Sequence, residues 1–228
     1  MIVLKNATLS YSKDYSALMD INLQIKAGER VGIVGDHGSG KTALLRLLAG
    51  LESLKCGKVY IRDIPIKKVN FMTDISLGYV TPNATFFERK SVYDNFLWIL
   101  KSRKVPKKER EGIIRAVLEE FELSYLADMK INMLNPLERR QVQVARLALR
   151  PLDIILVDDI FVGNDEDFLK QIKKTIKILF NREPKEKTII MACENEDLIK
   201  EFVQKVYHID GGAMVEQGNE EWKIRALS

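Results

Sequence analysis

Apolar and polar residues alternate along positions 2–9 and again across Ile21-Asn22-Leu23-Gln24-Ile25, the two-residue period of strands with one buried face. A turn at Ala27-Gly28-Glu29 leads into residues 30–34, short and mostly apolar, the pattern of a strand buried on both faces. The period then lengthens. A glycine-rich stretch runs into Leu44, Leu45, Leu47 and Leu48, spaced for a helix that stops near Gly50. A hairpin-like pair is expected at 58–66 and a strand at 77–80. Three helical periodicities follow, at 92–100, 107–121 and 137–149, with Pro106 and Pro136 at first turns of their helices. The last third returns to alternation: strand 154–157, helix 165–179, strand 188–192, helix 196–202, and strands 206–209 and 213–215. This order predicts an α/β core at 1–82 and 151–228 with an α-helical subdomain at 83–150 inserted into it, in one domain spanning 1–228.

Composition supports that reading. The 228 residues are 46% hydrophobic and 30% charged, enough apolar material for a core without staples. No apolar run approaches the roughly 20 residues of a membrane span. The start, Met1-Ile2-Val3-Leu4-Lys5, lacks a signal-peptide layout. A cytoplasmic location is expected, with any place at the membrane's cytoplasmic face reached through a partner. Cys56 and Cys193 lie far apart with no CxxC spacing, which points to a reducing compartment. With only His37 and His208, a zinc site is not expected. The net charge of +4 is mild, and no nucleic-acid partner is expected. The basic run Lys101, Arg103, Lys104, Lys107, Lys108 and Arg110 reads as a solvated helix connection, a membrane-surface or RNA contact being the sharper alternative.

The candidate chemistry lies between the strand at 30–34 and the helix after it. Gly35-Asp36-His37-Gly38-Ser39-Gly40-Lys41-Thr42 matches GxxxxGK[ST], the phosphate-loop (Walker A) pattern, in the strand–loop–helix context that the pattern requires. Glycines let the backbone N–H groups curl around phosphates, and the helix N-terminus adds positive potential. Lys41 would neutralise the outer phosphates. Thr42 would share a Mg²⁺ ion with a partner carboxylate. A chance glycine turn would not come flanked in this way. His37 reads as a solvated loop side chain. Asp158, after the apolar run Ile154-Ile155-Leu156-Val157, suits the second strand of such a site (Walker B), with Asp159 beside the attacking water. The expected cofactors are ATP and Mg²⁺.

With these residues in place the chain resembles, over essentially its whole length, the nucleotide-binding domain of ABC (ATP-binding cassette) transporters. Tyr11 stands where that family stacks an aromatic ring on adenine. Further matches are Leu77-Gly78-Tyr79-Val80, Phe86-Phe87, Ser91-Val92-Tyr93-Asp94-Asn95 and Val144-Ala145-Arg146-Leu147-Ala148-Leu149. The last is Asp210-Gly211-Gly212-Ala213-Met214-Val215-Glu216-Gln217-Gly218. The stretch from Phe86 to Asn95 and the closing Gly218-Asn219-Glu220-Glu221 are similar to exporter-type members. The resemblance implies a P-loop NTPase (RecA-like) core, an antiparallel β subdomain and a helical subdomain. It also implies a head-to-tail pair of such domains closing on two ATP molecules, as a homodimer or heterodimer. Closure then drives a membrane-spanning subunit borrowed from elsewhere.

Five positions depart from the family pattern. Pro82, next to Asn83, replaces the glutamine that touches Mg²⁺ and senses the membrane subunit. The LSGGQ signature, which caps the partner's γ-phosphate, becomes Leu134-Asn135-Pro136-Leu137-Glu138, without one N–H and with added bulk and charge. Asp159 replaces a glutamate and so draws its carboxylate back by one methylene. Glu194 replaces the switch histidine, and an ionised glutamate cannot donate to a phosphate. Ala43 removes a second hydroxyl after the lysine, at the end of the nucleotide-binding loop. Asp159 and Glu194 are thus the candidate catalytic positions, and both are altered. The expectation is a transporter subunit that binds MgATP with hydrolysis impaired. Its alternatives are a non-transport regulatory module and a slow stand-alone ATPase relying on Asp159.

Overall fold

The computed structural model describes residues 1–12, 15–71, 73–161, 165–182 and 186–215. The expected matches at Glu216-Gln217-Gly218 and at Gly218-Asn219-Glu220-Glu221 lie outside the described residues.

Contacts divide the chain into two units. The first comprises Met1–Tyr79, Asp153–Asp159 and the chain from Glu186 onward. It holds two sheets. In the antiparallel one, β1 (Ile2–Ser10) lies between β2 (Ser16–Ile25) and β4 (Cys56–Ile61), with the short β5 (Ile64–Pro65) at the edge. Leu4 is paired with Leu23 on one side and Val59 on the other, so apolar residues of three strands share one face. The second sheet has the order β10-β9-β3-β8-β7-β6, from β3 (Arg30–Val34), β6 (Leu77–Val80), β7 (Ile154–Asp158), β8 (Thr188–Cys193), β9 (Lys205–Asp210) and β10 (Ala213–Val215). Strands β9, β3, β8 and β7 run parallel, and β10 closes antiparallel on β9. Every residue of β7 and β8 is buried, hence their unbroken apolar runs.

Helix α1 (Lys41–Leu48) packs on β2, β7 and β8. Leu44, Leu45, Leu47 and Leu48 are all fully buried, in one cluster with Leu4 and Leu18 of the antiparallel sheet and Ile33, Leu156 and Ile190 of the parallel one. The exposed Thr42 and Arg46, four residues apart, mark the outer face of α1. Enclosure of these leucines fixes α1 in the core at the point where the glycine-rich loop ends.

The second unit comprises Val80–Leu152 and Ile160–Lys185. It is built from α2 (Val92–Ser102), α3 (Lys107–Glu120), α4 (Pro136–Leu147) and α5 (Glu166–Asn181). Ser91 caps α2 by accepting from the Asp94 N–H. The buried Asn95 side chain bonds both backbone groups of Phe87 and the carbonyl of Ser91, pinning the segment ahead of that helix.

The elements depart from the sequence reading in three places. β2 begins at Ser16, not near residue 21, because Asp20 has φ +50° and the register shifts there, which breaks the alternation. The helix expected at 196–202 is one 3₁₀ turn, Glu196–Leu198, its start taken by an Asn195 side chain that accepts from Asp197 N–H. Helix α5, expected in the α/β core at 151–228, packs on α4 and belongs to the second unit.

Candidate phosphate and metal site

The phosphate loop leaves β3 at Gly35, where there is no room for a side chain. A Cβ there would lie 2.1 Å from the carbonyl oxygen of Ile209 on β9. Gly38 and Gly40 have φ of +79° and +109°, which L side chains rarely adopt. These three glycines wrap the loop around Lys41. That lysine is 6% exposed, and its Nζ donates to the carbonyls of Gly35 (2.6 Å) and Asp36 (2.8 Å). The first turn of α1 carries no acidic residue and no side-chain cap, so its N–H groups are left for an anion. The Ser39 hydroxyl is buried without a partner among the described residues. Ala43 turns its methyl into the core cluster and offers only its backbone to a ligand.

Asp158 closes β7 on the same side of the sheet. Its Oδ1 accepts from Thr42 Oγ1 (3.1 Å) and its Oδ2 from the Tyr79 hydroxyl (2.9 Å). Burial raises the pKa of this carboxyl, opposed by the two hydrogen bonds, with Asp159 adding a further upward push. The same burial, and then the adjacent carboxylate, push the Tyr79 hydroxyl upward too, keeping it protonated as a donor.

A carboxyl with a raised folded-state pKa favours folding while protonated and loses that contribution as pH rises through the folded value. Asp158→Asn removes the desolvated charge. At pH 7 the nucleotide- and metal-free variant should melt above the wild type, and the gap should shrink on acidification towards the carboxylate range. Thermal unfolding at several pH values checks this. Equal melting temperatures at neutral pH would count against it.

Asp159 follows with φ +42°, its N–H donating to the Ala192 carbonyl at 3.0 Å. Glu194, just past β8, places Oε1 3.6 Å from Nδ1 of His37, whose side chain is almost fully exposed. Tyr11 is exposed and stacks on Tyr15 at 6.4 Å between ring centroids. Its hydroxyl lies 3.4 Å from Glu52, which also holds Arg46.

Lys41, Thr42, Asp158, Asp159, His37 and Glu194 are therefore gathered at the ends of β3, β7 and β8. Pro82 and the 134–138 segment belong to the second unit. There the backbone beside Pro82 is held from α4: Arg140 Nη1 donates to the carbonyls of Thr81 (2.9 Å) and Pro82 (3.2 Å), and Gln143 Nε2 to that of Thr81 (2.8 Å). Asn135 and Glu138 form a reciprocal capping box at the start of α4. Glu138 N–H donates to Asn135 Oδ1 (2.9 Å), and Asn135 N–H to a Glu138 carboxylate oxygen (3.0 Å). Tyr79 was not among the expected site residues.

A parallel sheet feeding a glycine loop into a buried helix, with a strand-end aspartate bonded to the loop's threonine, defines a P-loop nucleotide-binding protein. The sequence model described as "ABC transporter" matches residues 18–162, more than half the chain. The chain belongs to the ABC transporter family, as one of its ATP-binding subunits.

Among its relatives, the lipopolysaccharide export system ATP-binding protein LptB of Haemophilus influenzae is 29% identical over 97% of this chain and 91% of its own. The methionine import ATP-binding protein MetN of Clostridium acetobutylicum is 31% identical over 97% of this chain and 69% of its own. Against the sn-glycerol-3-phosphate import protein UgpC of Psychromonas ingrahamii (33% identical, 79% of this chain), the match spans about half of the relative, 48%. Among solved structures, the ATP-binding cassette MJ0796, in a dimeric post-hydrolysis state bound to ADP and Pi, superposes with a TM-score of 0.82. It is 25% identical over 95% of this chain and 97% of that one. Among the described residues, no helix is long and apolar enough to cross a membrane.

Proposed function

We propose that this chain binds MgATP on the Gly35–Thr42 loop as the ATP-binding subunit of an ABC transporter, and that it hydrolyses ATP slowly or not at all. In this reading it works at the cytoplasmic face of a membrane, beside a membrane-spanning subunit and a second ATP-binding domain.

The observation that carries the binding claim is the state of Lys41. The buried Lys41 ammonium is bonded to two neutral carbonyls, and a phosphate oxygen would bring it an opposing charge as well as an acceptor. The uncapped start of α1 and the orphaned Ser39 hydroxyl fit the same ligand. Thr42 and Asp158 are an oxygen-donor pair that would hold Mg²⁺, a hard cation supplying positive charge to the outer phosphates. Tyr11, exposed and steadied by Tyr15 and Glu52, would meet the base.

The impaired turnover rests on three groups. Asp159 carries its acid one methylene short, and a misplacement of about 1 Å can cost on the order of a hundredfold in rate. Glu194 presents a carboxylate where a phosphate donor is wanted. In the signature segment, the start of α4 is already served by Asn135 and the carboxylate of Glu138, and Pro136 offers no N–H. A partner's phosphate would meet a filled and negatively charged helix end.

Steady-state turnover measured beside equilibrium nucleotide binding tests the proposal. Wild type is expected to bind MgATP with phosphate release at the blank level. A restored variant carrying Asp159→Glu, Glu194→His, Pro136→Gly, Leu137→Gly and Glu138→Gln should gain at least about tenfold, since each repaired position acts on the reacting phosphate or the attacking water. Wild-type turnover on the order of 1 s⁻¹, within the ordinary enzyme range, would remove the claim of impairment.

A second reading, a regulatory module without a transport partner, is favoured by Pro82. That position has no side-chain amide, and its carbonyl is engaged by Arg140. Co-purification of a membrane-spanning protein with the tagged chain would decide against it.

A further inference from the structure

We propose that Tyr79 is a positioning residue of the metal site: its hydroxyl fixes Oδ2 of Asp158 and thereby aims Oδ1 at Thr42 and the Mg²⁺ shell. The role rests on the MgATP reading above and extends it to a residue outside the phosphate loop.

The placement follows from strand parity. In β7, Ile154 and Leu156 face the core cluster that contains α1, so Asp158, two residues further on, points the same way. In β6, at the sheet edge beside β7, Leu77 and Tyr79 pack against that cluster while Gly78 and Val80 turn to the other face. The phenol therefore reaches the carboxylate from β6, and the hydroxyls of Tyr79 and Thr42 take one oxygen each, at 2.9 and 3.1 Å.

The two donors are not equivalent. Thr42 sits on the exposed loop–helix junction, and its hydroxyl is one of the groups that would turn to the ion. When it does, Tyr79 is the donor that still holds Asp158. A carboxylate with no exposed surface that lost both donors would be free to rotate and would leave buried oxygens unsatisfied. The tyrosine hydroxyl prevents this, as groups behind metal ligands do when they set ligand orientation. Chemistry selects tyrosine here: the ring fills apolar space, and only its tip is polar.

Tyr79→Phe removes one oxygen atom and keeps the ring. Nucleotide affinity is measured for wild type and variant in excess EDTA and across a Mg²⁺ titration. Mn²⁺ bound with a non-hydrolysable ATP analogue is followed by electron paramagnetic resonance. The expected result is unchanged affinity for metal-free ATP, a roughly tenfold higher Mg²⁺ midpoint, and an altered Mn²⁺ spectrum, in line with the effect of losing groups behind metal ligands. In an Asp158→Ala background, Tyr79→Phe should have no further effect on the midpoint.

An unchanged Mg²⁺ midpoint would overturn the role. So would an equal loss with and without metal, which marks a merely structural residue, or an additive loss in the double variant. Wild-type ATP binding indifferent to Mg²⁺ would fail at an earlier point, removing the MgATP reading and this role with it.

Discussion

Lys41→Ala should lower the affinity for MgATP by about a hundredfold or more. Lys41 is 6% exposed, and its ammonium lies within the loop, bonded to the Gly35 and Asp36 carbonyls. Each charge-assisted bond to a phosphate oxygen is worth about 1.5–3 kcal/mol, and about 1.4 kcal/mol is tenfold in affinity, so even the loss of two bonds at the low end reaches that factor. Calorimetry or fluorescent-nucleotide titration measures it. The fold should survive, since α1 is held by Leu44, Leu45, Leu47 and Leu48, and circular dichroism is expected to be unchanged. Affinity within a few-fold of wild type in the folded variant would mean that nucleotide does not sit on this loop.

Gly35→Ala should be strongly damaging, for a steric reason independent of ligand. Its Cβ would lie 2.1 Å from the Ile209 carbonyl oxygen and 2.7 Å from Ser39 Oγ, so β9 or the loop must move. Overpacking of this kind costs about 1–3 kcal/mol, and in a chain of this size each kcal/mol lowers Tm by about 2–4 °C. A fall of roughly 2–12 °C is expected, together with lost nucleotide binding. Gly38→Ala is the control. Nothing lies within 4 Å of its Cβ, and only the positive φ is strained, so a smaller shift is expected. Scanning calorimetry of the two variants separates crowding from backbone strain, and equal shifts would contradict the packing described here.

Much of the core was legible because its signals are local. The buried parallel strands β3, β7 and β8 announce themselves as unbroken apolar runs, since both faces are covered and no alternation survives. The glycines of the loop are legible for a related reason: positive φ and close backbone approach leave few residue choices. Where local signals conflict, reading failed. The bend at Asp20 hid the first half of β2. The residues at 196–202 carry a helical spacing, but the Asn195 side chain competes for the backbone and only one turn forms. α5 has a strongly amphipathic pattern, and nothing in that pattern says which unit its apolar face will meet.

The site shows the same division. Which groups are present is legible in the chain: Lys41, Thr42 and Asp158, proposed above to bind MgATP, and Asp159, Glu194 and the Leu134–Glu138 run, where the resemblance implies catalytic and signature residues. Side-chain chemistry and short-range spacing are written in the chain. Which of these groups meet depends on the folded chain. Thr42 and Asp158 are 116 positions apart and Tyr79 and Asp158 are 79 apart, yet the three meet at one carboxylate. Strand order brought Tyr79 there, through hydrogen bonding between distant segments that no local pattern encodes. The bond between Glu138 and Asn135 was within reach of the sequence as a capping box. What the sequence alone could not show is that the box forms with both of its hydrogen bonds, so that the start of α4 is occupied by its own carboxylate.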